Sequence, residues 1–295
     1  MFYSKDSSDV YFYGEKINGA DLSSFETIGD VDSPYAKDNF HVYHDNRILI
    51  GADPQSFQLL ESGYAMDSQN AYHSGKKVAN SDGASFEVIG YGYAKDNFNV
   101  YHYDQIIIGA NPKSFQLVDS GYAKDNQNVY YNGMRIANSD GKSFETIDSG
   151  YGKDNSNVYK YGEKVIGAHP QSFQLLKSGY AKDNQNAYYD GNKIADADGQ
   201  SFELMAYGYG KDNFNVYHFG EQIIGANLPS FRAVGWSYAK DNKNAYYKNK
   251  KIADADVESL VWISGDYAKD KNYVYKDGEI ISGVSPETFT PDNFL

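Results

Sequence analysis

The sequence contains no cysteine, so disulfide bonds make no contribution to its stability. It also has no uninterrupted apolar run of about 18 residues, and no basic N-terminal segment followed by an apolar one. These absences predict a protein without a membrane span or an export signal, and we expect it in the cytoplasm. An exported form whose signal peptide is missing from this sequence is the alternative.

Positive charge is also scarce. Lys and Arg number 27 against 40 Asp and Glu, which gives a net charge of -13 and an isoelectric point near 4.8. Clustered Lys and Arg drive most binding to phosphate backbones and anionic lipids, so the composition argues against a nucleic acid partner. A protein partner that is basic or neutral fits this charge better.

Tyrosine is abundant, with 29 residues, and ten of them open a Tyr-x-x-Asp motif at a regular interval. The first interval is 32 residues and every later one is 29. The ten are Tyr3, Tyr35, Tyr64, Tyr93, Tyr122, Tyr151, Tyr180, Tyr209, Tyr238 and Tyr267. A fixed period along a whole chain is typical of repeat proteins. We therefore predict a single repeat domain over residues 1–295, made of ten repeats.

Residues 115–142 illustrate one repeat. Tyr-Ala after "FQLVDSG", the "VYY" segment and "MRIA" are strand-like, "NQN" is turn material, and "NG" favours a type I′ turn. In other repeats Asp53 suits a helix N-cap and Pro54 the first helical position. The pattern predicts an all-β protein in which each 29-residue repeat is a three-stranded meander followed by one helical turn, about thirty strands in total.

A repeat of this size is too small to bury a core alone, so we expect the repeats to stack on one another. After the third strand they alternate between a proline form, such as "GADPQSFQLL", and a glycine form, such as "NSDGASFEVI", which makes the full period 58 residues. The alternation is either a record of duplicated pairs or a structural feature. We expect an open superhelical array; the alternative is a closed propeller-like ring, which Pro291 disfavours.

The Asp of the motif recurs in every repeat, at Asp6, Asp38, Asp67, Asp96, Asp125, Asp154, Asp183, Asp212, Asp241 and Asp270. Ten equivalent carboxylates are not a catalytic pair. An Asp that opens a turn accepts hydrogen bonds from backbone N–H groups two residues on, so we interpret these residues as structural. The Lys that usually precedes each Asp is interpreted as an exposed companion charge.

The sequence offers no candidate catalytic, cofactor or metal site. His44, His102 and His218 occupy a repeat position that elsewhere holds Tyr131 or Lys160, which does not suit a general base or a metal ligand. An acidic stretch around Gly199 places Ile194 and Met205 where a calcium loop needs its first and last ligands. We predict a noncatalytic protein without a cofactor or a structural metal.

The candidate binding residues are those that break the repeat pattern. Tyr91, Tyr207 and Trp236 are large aromatics at a position that is Ser62 or Ser120 in other repeats. Irregular aromatics on a repeat surface are typical of binding anchors, although Trp236 could equally fill space between the last repeats. Trp262 replaces apolar residues and is interpreted as core or cap.

The segment "YAKDKNYVYKDGEIISG", residues 267–283, contains the run from Asp270 to Tyr275, and "GADPQSF" accompanies it earlier in the chain. Together they resemble the DKNYY family of bacterial tyrosine-rich repeat proteins. Most copies in this chain have Asn where Lys271 stands. The resemblance implies a bacterial origin and a repeat scaffold, and it transfers no activity and no catalytic residue.

We expect a noncatalytic scaffold that binds another protein along its extended surface. Masking of a basic toxin, an immunity-type role, is one form of this function. The alternatives are a cell-envelope or glycan-binding module that uses rows of tyrosines, and a calcium-stabilised surface protein.

Overall fold

Short antiparallel strands make up nearly all the regular structure of this chain. The computed structural model describes residues 2–30 and 32–291, in which there are 39 strands and two single-turn 3-10 helices. The strands form ten small sheets, each built from strands consecutive in sequence. The prediction of an all-β repeat protein is therefore confirmed.

The first five sheets contain β1 (Tyr3–Lys5), β2 (Val10–Phe12), β3 (Glu15–Lys16); β4 (Glu26–Thr27), β5 (Tyr35–Lys37), β6 (Val42–His44), β7 (Arg47–Ile48); β8 (Gln58–Leu59), β9 (Tyr64–Met66), β10 (Ala71–His73), β11 (Lys76–Lys77); β12 (Glu87–Gly90), β13 (Tyr93–Lys95), β14 (Val100–His102), β15 (Gln105–Ile106); and β16 (Gln116–Leu117), β17 (Tyr122–Lys124), β18 (Val129–Tyr131), β19 (Met134–Arg135).

The other five contain β20 (Glu145–Thr146), β21 (Tyr151–Lys153), β22 (Val158–Lys160), β23 (Glu163–Lys164); β24 (Gln174–Leu175), β25 (Tyr180–Lys182), β26 (Asn186–Tyr189), β27 (Asn192–Asp198); β28 (Glu203–Leu204), β29 (Tyr209–Lys211), β30 (Val216–His218), β31 (Glu221–Gln222); β32 (Arg232–Ala233), β33 (Tyr238–Lys240), β34 (Ala245–Tyr247), β35 (Lys250–Ile252); and β36 (Val261–Ser264), β37 (Tyr267–Lys269), β38 (Val274–Lys276), β39 (Glu279–Ile280).

The predicted three-stranded meander has one strand too few. After the first sheet every sheet has four strands, because the short segment that follows the recurring Phe of the repeats pairs with the strand that begins at the motif Tyr. In one repeat Gln116 and Leu117 pair with Lys124 and Ala123. Two residues are too few to show a strand period in the sequence, so only the pairing partner reveals this strand.

The turns have, in part, the conformations that their local sequence predicts. Asn132 and Gly133 have φ of 46° and 78°, which confirms the predicted type I′ turn. The helical turn is confirmed only as 3-10 helices at Gly83–Ser85 and Leu228–Ser230 among the described residues. At Asp53 the side chain accepts the N–H of Gln55 as a cap would, but the chain returns to a strand at once.

Neighbouring repeats share their cores. One cluster combines four buried residues of one repeat with two of the next: Tyr93, Val100, Ile107, Phe115, and then Ala123 and Tyr130. Phe115 joins the two groups, since its ring centroid lies 5.6 Å from that of Tyr93 and 5.3 Å from that of Tyr130. This arrangement confirms that a repeat buries its apolar face only by stacking on its neighbour.

The motif Asp links two repeats through one buried carboxylate. In Asp125, Oδ1 accepts the backbone N–H groups of Gln127 and Asn128, both at 2.7 Å. Its Oδ2 accepts the Tyr130 hydroxyl at 2.8 Å and the N–H of Asn111, in the preceding repeat, at 3.0 Å. Because these donors satisfy a carboxylate that is almost inaccessible to solvent, the residue is structural, as predicted.

The same four hydrogen bonds recur at Asp38, Asp67, Asp96, Asp183, Asp212, Asp241 and Asp270. Burial alone raises the pKa of Asp241, but the four hydrogen bonds outweigh it and lower that pKa to about 2. The carboxylate form is therefore the one that the fold requires.

The Lys before this Asp is not an exposed companion charge, and that interpretation was wrong. The Nζ of Lys124 donates to the Phe144 carbonyl at 2.6 Å, and Lys182 donates to that of Phe202 at 2.8 Å. Lys240 donates to the Leu260 carbonyl at 3.0 Å and is only 6% exposed. These lysines therefore add a second link from one repeat to the next.

The alternation of glycine and proline forms has a structural consequence. The N–H of Gly141 donates to the Gln127 carbonyl at 3.0 Å, and a Cβ on Gly141 would lie 2.3 Å from the Asp125 carbonyl. Proline has no N–H to donate and no room at that distance. The two forms of the loop therefore pack differently on the turn of their own repeat.

Two compact bodies divide the chain. One comprises the residues up to Asp154 with Tyr161–Glu163, and the other comprises Asn155–Lys160 with the residues from Lys164 onward. Within residues 2–30 and 32–291 no sheet combines strands from the two ends of the chain, as ring closure by a shared sheet requires. The alternative of a closed ring is therefore wrong.

No helix among residues 2–30 and 32–291 is long and apolar enough to span a membrane.

We expect Asp125→Asn to lower the free energy of unfolding by about 3 kcal/mol or more, because an amide has a single acceptor oxygen and cannot accept from all four donors, and the charge is lost. Urea unfolding followed by circular dichroism measures this. Asp30→Asn removes an exposed carboxylate and is the matched control, with an expected change within about 0.5 kcal/mol. Equal losses in the two variants would show that the buried carboxylate is not a main link.

Candidate functional site

The three predicted binding residues lie in the turn that joins the first two strands of their sheets. Tyr91 precedes β13, Tyr207 precedes β29 and Trp236 precedes β33. Their side chains are 72%, 38% and 54% exposed, respectively. Aromatic side chains that are open to solvent at this position are available for contact with another molecule.

Two of these residues have an unfavourable backbone conformation for their size. Tyr91 and Tyr207 have φ of 50° and 59°, in the left-handed region, where Ser62 and Ser120 stand in other repeats. This region costs an L-residue roughly 1 to 2 kcal/mol. The turn imposes this φ in other repeats as well, since Ser62 and Ser120 have φ of 57° and 54°, and Phe219 adopts it in another turn. The exposed aromatic side chain, and not the backbone conformation, distinguishes Tyr91 and Tyr207 from the equivalent residues.

Tyr207, Trp236 and Trp262 form the aromatic cluster. The Tyr207 ring centroid lies 5.9 Å from that of Trp236, at an interplanar angle of 68°, and 6.3 Å from that of Trp262, at 45°. The two tryptophans of the chain thus contact the same tyrosine. The rings are inclined to one another and do not form a parallel stack.

Trp262 was interpreted from sequence as core or cap, and its position is intermediate. The side chain is half-buried in β36 against the C-terminal core, and its Nε1–H donates to the Gly265 carbonyl at 2.8 Å. A Cβ on Gly235 would lie 2.3 Å from the Trp262 ring, so only glycine permits this approach. The core holds Trp262 in place while its ring completes the aromatic cluster.

Tyr91 belongs to the other compact body and has no aromatic neighbour at the same position of the adjacent repeats, which carry Ser62 and Ser120. The structure therefore brings together two of the three predicted residues and adds Trp262. One sequence signal could have indicated this: both tryptophans of the chain fall within 27 residues of each other.

A buried histidine contacts the backbone of the aromatic cluster. His218 is 3% exposed, and its Nε2–H donates to the backbone carbonyl of Trp236 at 2.9 Å. Its ring centroid lies 4.3 Å from that of Tyr209 and 4.3 Å from that of Phe219. This histidine is a packing and positioning residue, consistent with the prediction that its repeat position is not that of a general base.

Carboxylates lie at the edge of the aromatic cluster. The hydroxyl of Tyr247 lies 3.0 Å from Asp266 Oδ1 and 2.7 Å from Asp277 Oδ1, and the Ser237 hydroxyl donates to Asp266 Oδ1 at 3.3 Å. Burial, followed by these hydrogen bonds, raises the pKa of Tyr247. Lys248 lies over the Tyr247 ring, with Nζ 4.8 Å from the centroid.

The repeat that carries Trp236 also leaves a polar group unpaired. The hydroxyl of Tyr122 bonds to the Gly150 carbonyl at 3.1 Å and to the Gly162 N–H at 2.9 Å. The equivalent Tyr209 hydroxyl is buried without a hydrogen-bond partner among the described residues. Ser237 and Asn249 stand at the places of the two glycines in the repeat that it faces.

Within the described ranges, no group of three or more His, Cys, Asp or Glu side chains could hold a metal ion. The motif carboxylates are occupied by turn and repeat contacts, and His218 donates to the backbone. Exposed aromatic rings beside carboxylates can instead bind a flat or cationic group through their faces.

Comparison with known proteins identifies one family. The model of the DKNYY family matches residues 3–132, 35–164, 122–250 and 238–291, which cover nearly the whole chain in overlapping segments. No curated protein and no solved structure is significantly similar to this chain.

We expect acid to destabilise the protein in two stages. Burial lowers the pKa of His218 from its usual 6.5, the contacts with the Trp236 carbonyl and Glu221 oppose this, and Lys248 adds to it. Because the folded pKa lies below the unfolded one, this stabilisation is complete above about pH 6.5 and is lost as the pH falls further. Asp125 and Asp241, whose pKa is lowered from 3.8, lose their stabilising contribution only below that value.

Melting temperatures at about pH 7.5 and about pH 5 test the first stage. The decrease should be smaller in His218→Tyr, since Tyr189 and Tyr247 occupy the equivalent position in other repeats. Conversely, Tyr189→His should enlarge it. An identical decrease in the wild type and both variants would show that this position does not govern the stability of the protein in mild acid.

Proposed function

The chain belongs to the DKNYY family, and we propose that it is a noncatalytic repeat scaffold that binds another protein through the aromatic cluster. The contact of Tyr207 with Trp236 and Trp262 is the observation that carries this proposal. Aromatic residues of this kind dominate the binding energy of many protein interfaces. The cluster also combines rings from three successive repeats, so it exists only in the stacked fold.

The energetic cost of the site supports this function. The buried Tyr209 hydroxyl has no hydrogen-bond partner among the described residues, and the repeat that it faces has Ser237 and Asn249 where other repeats have glycine. Tyr207 and Trp236 likewise stand where Ser is the commonest residue of the repeat. Departures from local rules that lower stability are typical of functional sites.

The charge of the chain indicates the kind of protein partner. With a net charge of -13, electrostatic attraction favours a basic protein and disfavours nucleic acid. We propose an immunity-type role, in which the scaffold masks a basic toxin in the cytoplasm of a bacterium. A toxin gene beside the gene for this chain would support the role, whereas an upstream signal sequence would favour the cell envelope.

We propose that the repeats continue as an open superhelical array. The shared cores and the motif carboxylates connect consecutive repeats within each compact body. Where each repeat contacts mainly its neighbours, the number of repeats is not set by closure. Such an array presents the side chains of successive turns along one edge, which suits an extended protein partner.

A glycan-binding module is the second candidate. Trp236 and Tyr207 present exposed ring faces, and Asp266 and Ser237 supply polar groups beside them. Sugar rings stack on such aromatic faces while their hydroxyls bond to carboxylates. A neutral glycan would not explain the strong negative charge of the chain. We therefore rank the glycan-binding function below the binding of a basic protein.

We expect Trp236→Ala to abolish capture of the partner from bacterial extract while the melting temperature stays within a few degrees of the wild type. Truncation of an interface anchor costs about 2 kcal/mol or more. Tyr161→Ala is the matched control, since Tyr161 and Trp236 are both 54% exposed, and it should retain capture. A lowered melting temperature with intact capture would return Trp236 to a purely structural role.

Removal of residues 122–179, one 58-residue pair, tests the open array. The deletion joins two equivalent repeat boundaries, so a soluble protein with a single cooperative melting transition is expected. A second deletion, shorter by about half a repeat, serves as the control. It would put the motif carboxylates out of register with their hydrogen-bond donors. Insolubility or non-cooperative melting of the in-register deletion would contradict the open array.

A further inference from the structure

We propose that the aromatic cluster holds the guanidinium group of an arginine side chain from the basic protein partner. This inference rests on the proposed function and specifies the chemistry by which the partner is recognised. It makes Tyr207, Trp236 and Trp262 contact residues for a cation, with Asp266 as the carboxylate that pairs with it.

The exposed rings of the aromatic cluster suit a cation. Trp236 and Tyr207 are 54% and 38% exposed, and their ring centroids lie 5.9 Å apart at an interplanar angle of 68°. The half-buried Trp262 packs against Gly235, and its ring centroid lies 6.3 Å from that of Tyr207. Cations bind over aromatic faces within about 6 Å of the centroid, and tryptophan is the most favourable ring for this contact. The solvent-exposed part of these rings is therefore available to a cation with flat apolar faces.

Asp266 is a carboxylate with an open acceptor oxygen, and it contacts Ser237, the residue that follows Trp236. Asp266 follows Gly265, the residue whose carbonyl accepts the Trp262 Nε1–H. Its Oδ1 accepts from Tyr247 and Ser237, while no described residue donates to its Oδ2. The side chain is exposed, so an incoming donor can reach it. Asp277, on the other side of the Tyr247 hydroxyl, adds a second negative charge nearby.

The same two sheets already hold cations against aromatic rings. Lys248 Nζ lies 4.8 Å from the Tyr247 centroid, and Lys276 Nζ lies 5.3 Å from the Tyr267 centroid. Ring faces in these two hairpins thus hold ammonium groups of the chain itself. Among the described residues no Lys or Arg lies over Tyr207, Trp236 or Trp262, so these rings are open to a cation from a partner.

Arginine fits this site better than lysine. A guanidinium group is planar, stacks on aromatic rings, is more weakly hydrated than an ammonium group and donates two parallel hydrogen bonds to a carboxylate. The site offers both partners for it, the ring faces and the open oxygen of Asp266. A neutral sugar uses the ring faces and hydrogen bonds but gains nothing from opposite charge, so only the binding of arginine should weaken with added salt.

Tryptophan fluorescence tests the proposal on the intact chain, because Trp236 and Trp262 are its two tryptophans and both lie in the aromatic cluster. The probes are a glycine–arginine repeat peptide and a matched peptide in which neutral citrulline replaces arginine. We expect a saturable fluorescence change with the arginine peptide, weakened about tenfold with the citrulline peptide and weakened by added salt.

Asp266→Asn should weaken arginine-peptide binding several-fold, whereas Asp30→Asn, which changes the net charge equally, should not. Equal binding of the two peptides, or a change only with a neutral oligosaccharide, would overturn the proposal. If the arginine peptide fails but Trp236→Ala still abolishes partner capture at an unchanged melting temperature, the scaffold function stands and the arginine inference is wrong. If capture is also unaffected, both are wrong.

Discussion

The buried carboxylate of the Tyr-x-x-Asp motif is the interaction on which the rest of this structure depends. A carboxylate placed in a protein interior costs several kcal/mol unless donors surround it. Asp125 meets four: two backbone N–H groups of its own turn, the Tyr130 hydroxyl, and an N–H of the preceding repeat. One side chain thereby shapes the turn, orients the tyrosine that fills the core and sets the register between repeats. The apolar cores can be shared only because this register is the same at each junction.

Regular junctions leave the outer turns free to vary. The position two residues before the motif Tyr is Ser in five of the ten repeats, and replacing it with Tyr207 or Trp236 disturbs neither the carboxylate nor the shared core. Tyr207 keeps the left-handed φ that Ser62 and Ser120 have at this position, while the buried Tyr209 hydroxyl has no hydrogen-bond partner among the described residues. The fold can accommodate such local losses because the other junctions are unaffected. A binding site on one repeat is thus compatible with a scaffold built by repetition.

Much of the fold was predictable because its signals are local or periodic. The 29-residue interval, the alternation of apolar residues and the Asn132–Gly133 turn each report on a few neighbouring residues, and together they predict stacked β-repeats. The fourth strand was not predictable, since Gln116 and Leu117 become a strand only by pairing with β17. The binding candidates Tyr207 and Trp236 were found as exceptions to the pattern. Trp262 was missed as a contact residue because its substitution looks like an ordinary apolar exchange.

The sequence by itself determined that this chain repeats, that the repeats are strands and turns, and that the motif Asp is structural, because each of these follows from composition and spacing along the chain. Only the tertiary structure decided which residues of neighbouring repeats contact each other. It directed Lys124 to a carbonyl of the next repeat instead of to solvent, and it placed Trp262 beside Tyr207. Such contacts depend on the relative orientation of neighbouring sheets, which arises from the packing of all their side chains at once and is encoded in no single segment.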